Sequence, residues 1–224
     1  MIFGVVSAWF SISPMEVHAP HHPLNSWRDF FVHIATIVVG LLIAIGLEQT
    51  VEWFHHRHVV HVARENIRQE LERNKQHAAK NLVNLETDAK AMQGNIEKAR
   101  LLRDNPKALE HGEFKSEYSW ESFSDSAWTS ARDAGALPYM PADEVARYDD
   151  VYEQQARISG IALATFTKQL ELATPFVMEN GPENIKPEDV HRLLRDTGTT
   201  YIRLTTLHEY IEGLEKQYDE TLKQ

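Results

Sequence analysis

The sequence predicts an all-α protein in which one N-terminal transmembrane helix is continuous with a long helix of an antiparallel three- or four-helix bundle. Three observations predict this class. The segment from Phe30 to Leu47 contains eighteen residues and no formal charge. Beyond it, apolar residues recur at spacings of three and four, the period of an amphipathic helix. No stretch alternates apolar and polar residues as a half-buried strand does.

The composition narrows the functional classes before any motif is considered. The 224 residues fit one domain or one domain with an appendage. They carry 23 lysines and arginines against 33 aspartates and glutamates, a formal net charge of −10. Such an acidic chain lacks the basic footprint of a nucleic-acid-binding protein, so no nucleic-acid partner is expected. The absence of cysteine excludes disulfides, thiolate metal sites and thiol nucleophiles.

The apolar segment has the length and the flanks of a membrane-spanning helix. About 20 apolar residues are needed to cross a ~30 Å hydrocarbon core. Trp27 precedes the segment, and Trp53 and Phe54 follow it, as expected of aromatic anchors at the two membrane interfaces. The two tryptophans would lie roughly 39 Å apart along a helix, which is close to the thickness of a bilayer with its headgroups. A transmembrane helix over residues 27–54 follows, with the lipid bilayer as its partner.

Two other interpretations of this segment stay open. It could be a buried helix of a soluble core, or a signal peptide cleaved near Ala44-Ile45-Gly46. The tryptophans and charges at both ends favour the span over the core helix, and the unbroken helical pattern favours it over the signal peptide. Residues 1–26 are then an N-terminal tail, in which we expect translation to start at Met15.

The basic residues on either side of the predicted span bear on its orientation in the membrane. Arg57 and Arg64 lie in residues 48–67, against only Arg28 in residues 10–29. The positive-inside rule therefore favours a cytoplasmic C-terminal domain by a single charge. We expect a single-pass membrane protein.

Residues 55–224 are predicted to form the extramembrane bundle. Its first helix should end at Asn105-Pro106, and a short helix should be capped by Ser124 or Asp125 and closed by Gly135. Two further helices should start at Pro141 and Pro187, because proline is favoured in the first turn. Long helices joined by short turns pack antiparallel, so neighbours in the chain are expected to alternate in direction. The predicted core positions include Trp128, Ala131, Ala134, Leu137, Tyr139 and Leu170.

Histidines are the residues that come nearest to suggesting a metal-binding or proton-binding site. His55, His58 and His61 follow the apolar segment closely, and imidazole is a common metal ligand that titrates near neutral pH. They are weak candidates for a metal or proton site, and an interfacial cluster among lipid headgroups is the preferred interpretation. A di-iron site built on Glu52/His55 and Glu188/His191 is disfavoured, because two Glu-x-x-His pairs are about what chance gives in this composition. No metal and no cofactor is therefore predicted.

Small residues follow one ridge of the predicted span. Thr36, Gly40 and Ala44 are spaced by four, a pattern that lets transmembrane helices approach closely. They are candidates for transmembrane packing, with a second copy or another membrane protein as partner. The alternative is that such residues are simply common in spans.

Two stretches resemble a group of bacterial proteins. They are NSWRDFFVHIATIVVGLLIAIGLEQTVEWFHHRH (residues 25–58) and AWTSARDAGALPYM (residues 127–140). Together they resemble bacterial single-span membrane proteins whose helical extramembrane domain is of the domain-of-unknown-function type. The resemblance implies an inner-membrane helical protein and assigns no catalytic residue.

The expected function is that of a membrane-anchored, non-enzymatic interaction or scaffolding module. The chain lacks the nucleophile elbow, the glycine-rich nucleotide loops and the His-Glu-x-x-His zinc motif. The alternative is a sensor-like bundle that binds a small ligand, a metal ion or a proton near the membrane surface.

Overall fold

The computed structural model describes residues 26–105, 114–115, 118–179 and 184–223, and all regular secondary structure in these ranges is helical. The all-α prediction is confirmed for this part of the chain. The predicted tail, including Met15, lies outside it apart from Ser26. The elements are α1 (Trp27–Asp104), α2 (Ser126–Asp133), a 3-10 turn (Leu137–Tyr139), α3 (Ala142–Leu172), α4 (Thr174–Met178) and α5 (Pro187–Leu222).

The helix ends follow the signals in the sequence. α1 ends one residue before Asn105, and α3 begins directly after Pro141. Gly135, after α2, has a φ of +70°, a left-handed conformation that glycine adopts without steric cost. α3 ends before Pro175, and Pro187 occupies the first turn of α5.

The chain divides into two compact units, with the boundary between Glu52 and Trp53. In the first unit, every described residue is exposed. An eighteen-residue window of α1 near the N-terminus has a mean hydropathy of 2.6, and none of it is buried. The chain therefore contains one N-terminal apolar helix that is long and apolar enough to cross a membrane.

The second unit has one main hydrophobic core, to which α1, α2, α3 and α5 all contribute. A smaller cluster of Leu102, Ile185 and Val190 lies at the C-terminal end of α1. The stripe expected on α3 is buried at Ile158 and Ala162, but Leu170 is 57% exposed, so its assignment to the core is wrong. The largest fully buried apolar side chains are those of Ile67, Leu71, Leu85, Met92, Leu102, Ile158, Leu204, Leu207, Ile211, Leu214 and Tyr218.

The long helices do not alternate in direction as expected. Three side-chain contacts that ascend along α1 also ascend along α3: Arg64–Glu144, Glu70–Tyr152 and Asn74–Gln155. α3 therefore runs parallel to α1, and the expectation of an antiparallel neighbour is wrong here. α5 runs against α1, since Lys75 contacts Asp219 near the end of α5 and Leu102 packs on Val190 near its start.

The reason is a segment, described over residues 114–115 and 118–125 and without helical structure there, that returns along α1 before α2 begins. Its residues pair in reverse order with asparagines of α1: Lys115 with Asn95, Glu121 with Asn81, and Ser124 with Asn74. In each pair the asparagine Nδ2 donates to the backbone carbonyl of the partner, at 2.6–2.8 Å. The partner's backbone N–H donates in turn to the asparagine Oδ1, at 2.8–3.0 Å.

The spacing of these pairs along α1 matches their spacing along the returning segment. Asn74, Asn81, Asp88 and Asn95 recur every seven residues and are all buried. Seven residues of helix rise about 10.5 Å, and three residues of extended chain cover about 10 Å. Going back three residues along the segment, from Glu121 to Tyr118, therefore corresponds to going forward seven residues along α1, from Asn81 to Asp88. Burial, and then the nearby Asp88 carboxylate, raise the pKa of Tyr118 to about 12.

We expect Asn81→Ala to destabilise the second unit by about 2–4 kcal/mol, because it leaves the backbone N–H and C=O of Glu121 without their partners. Asn84→Ala is the matched control, since Asn84 makes one hydrogen bond of 3.3 Å to the Ser119 carbonyl in an exposed position. Its cost should stay below about 1 kcal/mol. Urea unfolding of the two variants measures the difference, and equal losses would contradict the pairing as a source of stability.

Candidate functional site

A buried carboxylate fixes the start of α2. Glu70 of α1 is 2% exposed and accepts hydrogen bonds from the Ser124 hydroxyl at 2.6 Å, the Ala127 backbone N–H at 3.1 Å and the Tyr152 hydroxyl at 2.8 Å. A negative charge at a helix N-terminus is favourable because it satisfies free N–H groups and opposes the helix dipole. Of the two expected caps, Asp125 occupies the cap position without a side-chain hydrogen bond, whereas the Ser124 hydroxyl accepts from the Ser126 backbone N–H at 3.4 Å. Glu70 adds the acceptor for the Ala127 N–H.

A hydrogen-bond network connects this carboxylate to all three long helices. The Asn74 Nδ2 donates to Gln155 Oε1 at 3.1 Å, and the Tyr218 hydroxyl donates to the same oxygen at 2.7 Å. Burial, followed by the hydrogen bond to Glu70, raises the pKa of Tyr152, so its hydroxyl stays a neutral donor. Each group is engaged by a neighbour, and the network therefore positions helices rather than presenting a reactive atom.

The hydrogen-bond network holds α2 against α1, and the 3-10 turn that follows α2 lies beside residues 53–64 of α1. There, a cavity of about 400 Å³, which we name the Trp53 cavity, opens between α1 and the turn. Its α1 residues lie at spacings of three and four, on one helix face. The cavity is lined by Trp53, His56, Arg57, Val60, His61, Arg64 and Tyr139.

Two ring contacts shape the walls of the Trp53 cavity. The His56 imidazole stacks on the Tyr139 ring with 3.7 Å between centroids and 16° between planes. The guanidinium carbon of Arg57 lies 4.8 Å from the centroid of Trp53, a cation–π geometry. The expectation that Tyr139 lies inside the core is wrong: it is 52% exposed, and its ring partner His56 is only half-buried.

A bidentate ion pair fixes Arg64, which also lines the Trp53 cavity. Arg64 donates from Nε and Nη2 to the two carboxylate oxygens of Glu144, at 2.7 and 2.6 Å. The hydrogen bond to Glu144 raises the pKa of Arg64. The Tyr148 hydroxyl also donates to Glu144 at 3.3 Å. Because a guanidinium has five N–H donors, this pair leaves three N–H bonds of Arg64 for another acceptor.

A second cavity of about 410 Å³ shares His61 and Arg64 with the first; we name it the Arg147 cavity. It is lined by both signs of charge, since Arg68 and Arg147 occur there together with Glu65 and Glu144. The Trp53 cavity differs in that two arginines and two histidines line it and no carboxylate does. Its lining therefore favours an anion over a cation.

The histidines predicted as weak metal candidates do not converge. His55 and His58 are exposed on α1, and His61 lines both cavities. Among the residues that the structure describes, no group of three or more histidines and carboxylates is arranged to hold a metal ion. His191 lies one residue after Val190, which packs on Leu102, about 70 Å along α1 from His55. The two Glu-x-x-His pairs therefore cannot share a di-iron centre.

The candidate packing residues of the apolar helix are all exposed in the single chain. The Thr36 hydroxyl donates to the Val32 carbonyl at 2.9 Å, so its polar group is satisfied within the helix. A Cβ added at Gly40 would meet no atom within 4 Å. Ala44, and the predicted interface anchors Trp27 and Phe54, also lie on the exposed surface, whereas Trp53 lines the cavity described above.

A groove of about 570 Å³ lies between the returning segment and α3. Leu163 on its rim is 66% exposed. Phe166 contacts Tyr118, with 5.0 Å between the ring centroids and 30° between the ring planes. The groove is lined by Tyr118, Trp120, Ser122, Phe123, Ser159, Leu163 and Phe166.

Comparison of the chain with protein-family models, with curated proteins and with solved structures found no match in any of the three. The resemblance of residues 25–58 and 127–140 to single-span bacterial proteins therefore stays a prediction.

We expect Glu70→Ala to destabilise the second unit by about 3 kcal/mol, because the N–H of Ala127 and the hydroxyls of Ser124 and Tyr152 lose a buried acceptor. Glu72→Ala is the matched control on the same helix, since Glu72 makes only a surface ion pair with Arg68 at 3.4 Å. Urea unfolding monitored by circular dichroism measures both. A loss for Glu70→Ala as small as that of the control would contradict the capping role.

Proposed function

We propose that this protein is a single-pass protein of the bacterial inner membrane and acts as a non-enzymatic interaction or scaffolding module. In this proposal, residues 27–54 cross the bilayer, and the helices beyond them form a bundle on the cytoplasmic side. The observation that carries the proposal is the apolar window of α1, which has a mean hydropathy of 2.6 and is entirely unburied.

The size of this apolar surface supports a lipid environment. Twelve large apolar side chains between Phe30 and Leu47 are exposed. Full burial of one such side chain is worth about 1.5–3 kcal/mol, so transfer of the set out of water is worth on the order of 20 kcal/mol. Soluble monomers rarely expose contiguous apolar patches of this extent. A helix that belonged to a soluble core would instead be mostly buried.

The continuity of α1 favours a retained span over a cleaved signal peptide. α1 passes through Ala44-Ile45-Gly46 without interruption and ends only at Asp104. Cleavage there would cut a regular helix in its interior. The backbone of a spanning helix is satisfied by its own hydrogen bonds, as the hydrocarbon core requires.

The character of the second unit supports binding over catalysis. Its most buried carboxylate, Glu70, holds α2 in place. Its surface carries the groove beside Leu163, where aromatic side chains are only partly covered. Such a surface suits contact with another protein. In the membrane, the ridge of Thr36, Gly40 and Ala44 is the corresponding candidate for contact with a second copy or another membrane protein.

We expect Leu41→Arg/Leu42→Arg to release the full-length chain from membranes, because two arginines at the centre of a span cost about 5–7 kcal/mol. The matched control is Val83→Arg/Leu101→Arg, which alters equally exposed apolar residues of the same helix in the second unit. Ultracentrifugation of lysed cells with and without alkaline carbonate measures the partition. The unaltered chain in the supernatant without detergent would contradict the membrane anchor.

We expect Gly40→Leu to abolish crosslinking of the chain to its partner in membranes, because the added side chain prevents close approach of two helices. Gly46→Leu is the control, since it lies about 120° around the helix from Gly40. An added Cβ meets no atom within 4 Å at either glycine, so neither change disturbs the single chain. Crosslinking that is equal in both variants would exclude the ridge as the contact.

A further inference from the structure

We propose that the Trp53 cavity binds a phosphate group, with an anionic phospholipid headgroup as its source. The lipid source rests on the membrane anchorage proposed above, whereas the affinity for phosphate rests on the cavity alone. The argument uses the charges of its walls, their fixed positions and the place of the cavity along the chain.

The walls provide the donors that recognise phosphate. Arg57 and Arg64 are permanently charged, and planar guanidinium groups match phosphate oxygens with paired N–H donors. His56 and His61 add ring nitrogens on the same helix. The lining of this cavity contains no carboxylate, and the Glu144 carboxylate that pairs with Arg64 lines the Arg147 cavity instead. Arg57 therefore supplies a positive charge that no ion pair within the described part of the chain compensates.

These donors are held in place before a ligand arrives. Arg64 is fixed by its two hydrogen bonds to Glu144, whose side chain is only 12% exposed. Arg57 lies over the Trp53 ring, and His56 is stacked on Tyr139. A preorganised site loses less conformational entropy on binding than a set of mobile surface arginines does.

The position along the chain points to a lipid rather than to a soluble anion. Trp53 belongs to the predicted interfacial belt, and Arg57 follows it by four residues, about 6 Å along a helix. Long arginine side chains extend toward the interface with their apolar stems along the helix. A cation just beyond an aromatic anchor is therefore at the height where lipid phosphates lie. The Arg147 cavity, with mixed charges and no aromatic belt residue, lacks this combination.

The test titrates the full-length chain in maltoside micelles with three soluble probes and follows binding by native mass spectrometry. The probes are dihexanoylphosphatidylglycerol, dihexanoylphosphatidylcholine and inorganic phosphate. We expect phosphatidylglycerol to bind at least tenfold more tightly than phosphatidylcholine. Arg57→Gln should remove this preference, because Arg57 lies over the Trp53 ring and takes no part in the Arg64–Glu144 pair, which its loss leaves intact.

Two further variants separate binding from folding. Arg73→Gln removes an exposed arginine of α1 that lines neither cavity and should change the affinity less than twofold. Arg64→Gln/Glu144→Gln replaces the ion pair by two neutral amides, which avoids an unpaired carboxylate, and should weaken phosphatidylglycerol binding about tenfold.

The outcomes distinguish this inference from the proposed function. Equal affinity for both lipids and for all variants, in a chain that sediments with membranes, would overturn the phosphate site and leave the membrane anchor standing. Binding of inorganic phosphate that Arg57→Gln abolishes, without a lipid preference, would support the phosphate site and assign it a soluble ligand. A chain that stays in the supernatant would contradict the anchor. The inorganic phosphate titration would still show whether the Trp53 cavity binds phosphate.

Discussion

The fold of the second unit depends on the pairing of buried asparagines on α1 with the backbone of the returning segment. A segment without helical structure brings an N–H and a C=O for each residue into the protein, and each must find a partner when it is buried. A carboxamide offers one donor and one acceptor in the geometry of another peptide group. Asn74, Asn81 and Asn95 therefore act as substitutes for a neighbouring strand. An apolar side chain at these positions would leave the segment without partners.

The direction of the remaining chain follows from this pairing. Because the segment runs back along α1, α2 starts near Glu70 and the 3-10 turn reaches His56. α3 can then rise parallel to α1, and α5 returns against both. Without the returning segment, α3 would start at the other end of α1 and descend. The stacking of Tyr139 on His56, and with it the Trp53 cavity, is a consequence of where the chain is brought back.

Local sequence signals predicted much of the helical structure. They did not predict the pairing of the α1 asparagines with the returning segment, which is distant in the sequence. Prolines at 141 and 187 and the glycine at 135 act within one turn, so the sequence around them suffices. The apolar stripe of α1 has a gap of seven residues between Leu71 and Ala78, in the middle of which lies Asn74. The recurrence of polar residues every seven positions from Asn74 was the available signal. It could not identify a partner, because the same pattern fits a polar coiled-coil layer. Glu70 was missed because its cap acts on residues more than fifty positions away.

The polar backbone groups of the two units find their hydrogen-bond partners in different ways. In the apolar window of α1, the helix satisfies its own backbone groups, and its mostly apolar side chains are all exposed. In the second unit, side chains of α1 satisfy another segment, which requires polar groups on the inner face. Within the second unit, Arg57 and Arg64 lie on the α1 face that also carries Trp53 and His56. The Trp53 cavity forms there because Tyr139, brought back by the returning segment, stacks on His56, and because Glu144 at the start of α3 fixes Arg64.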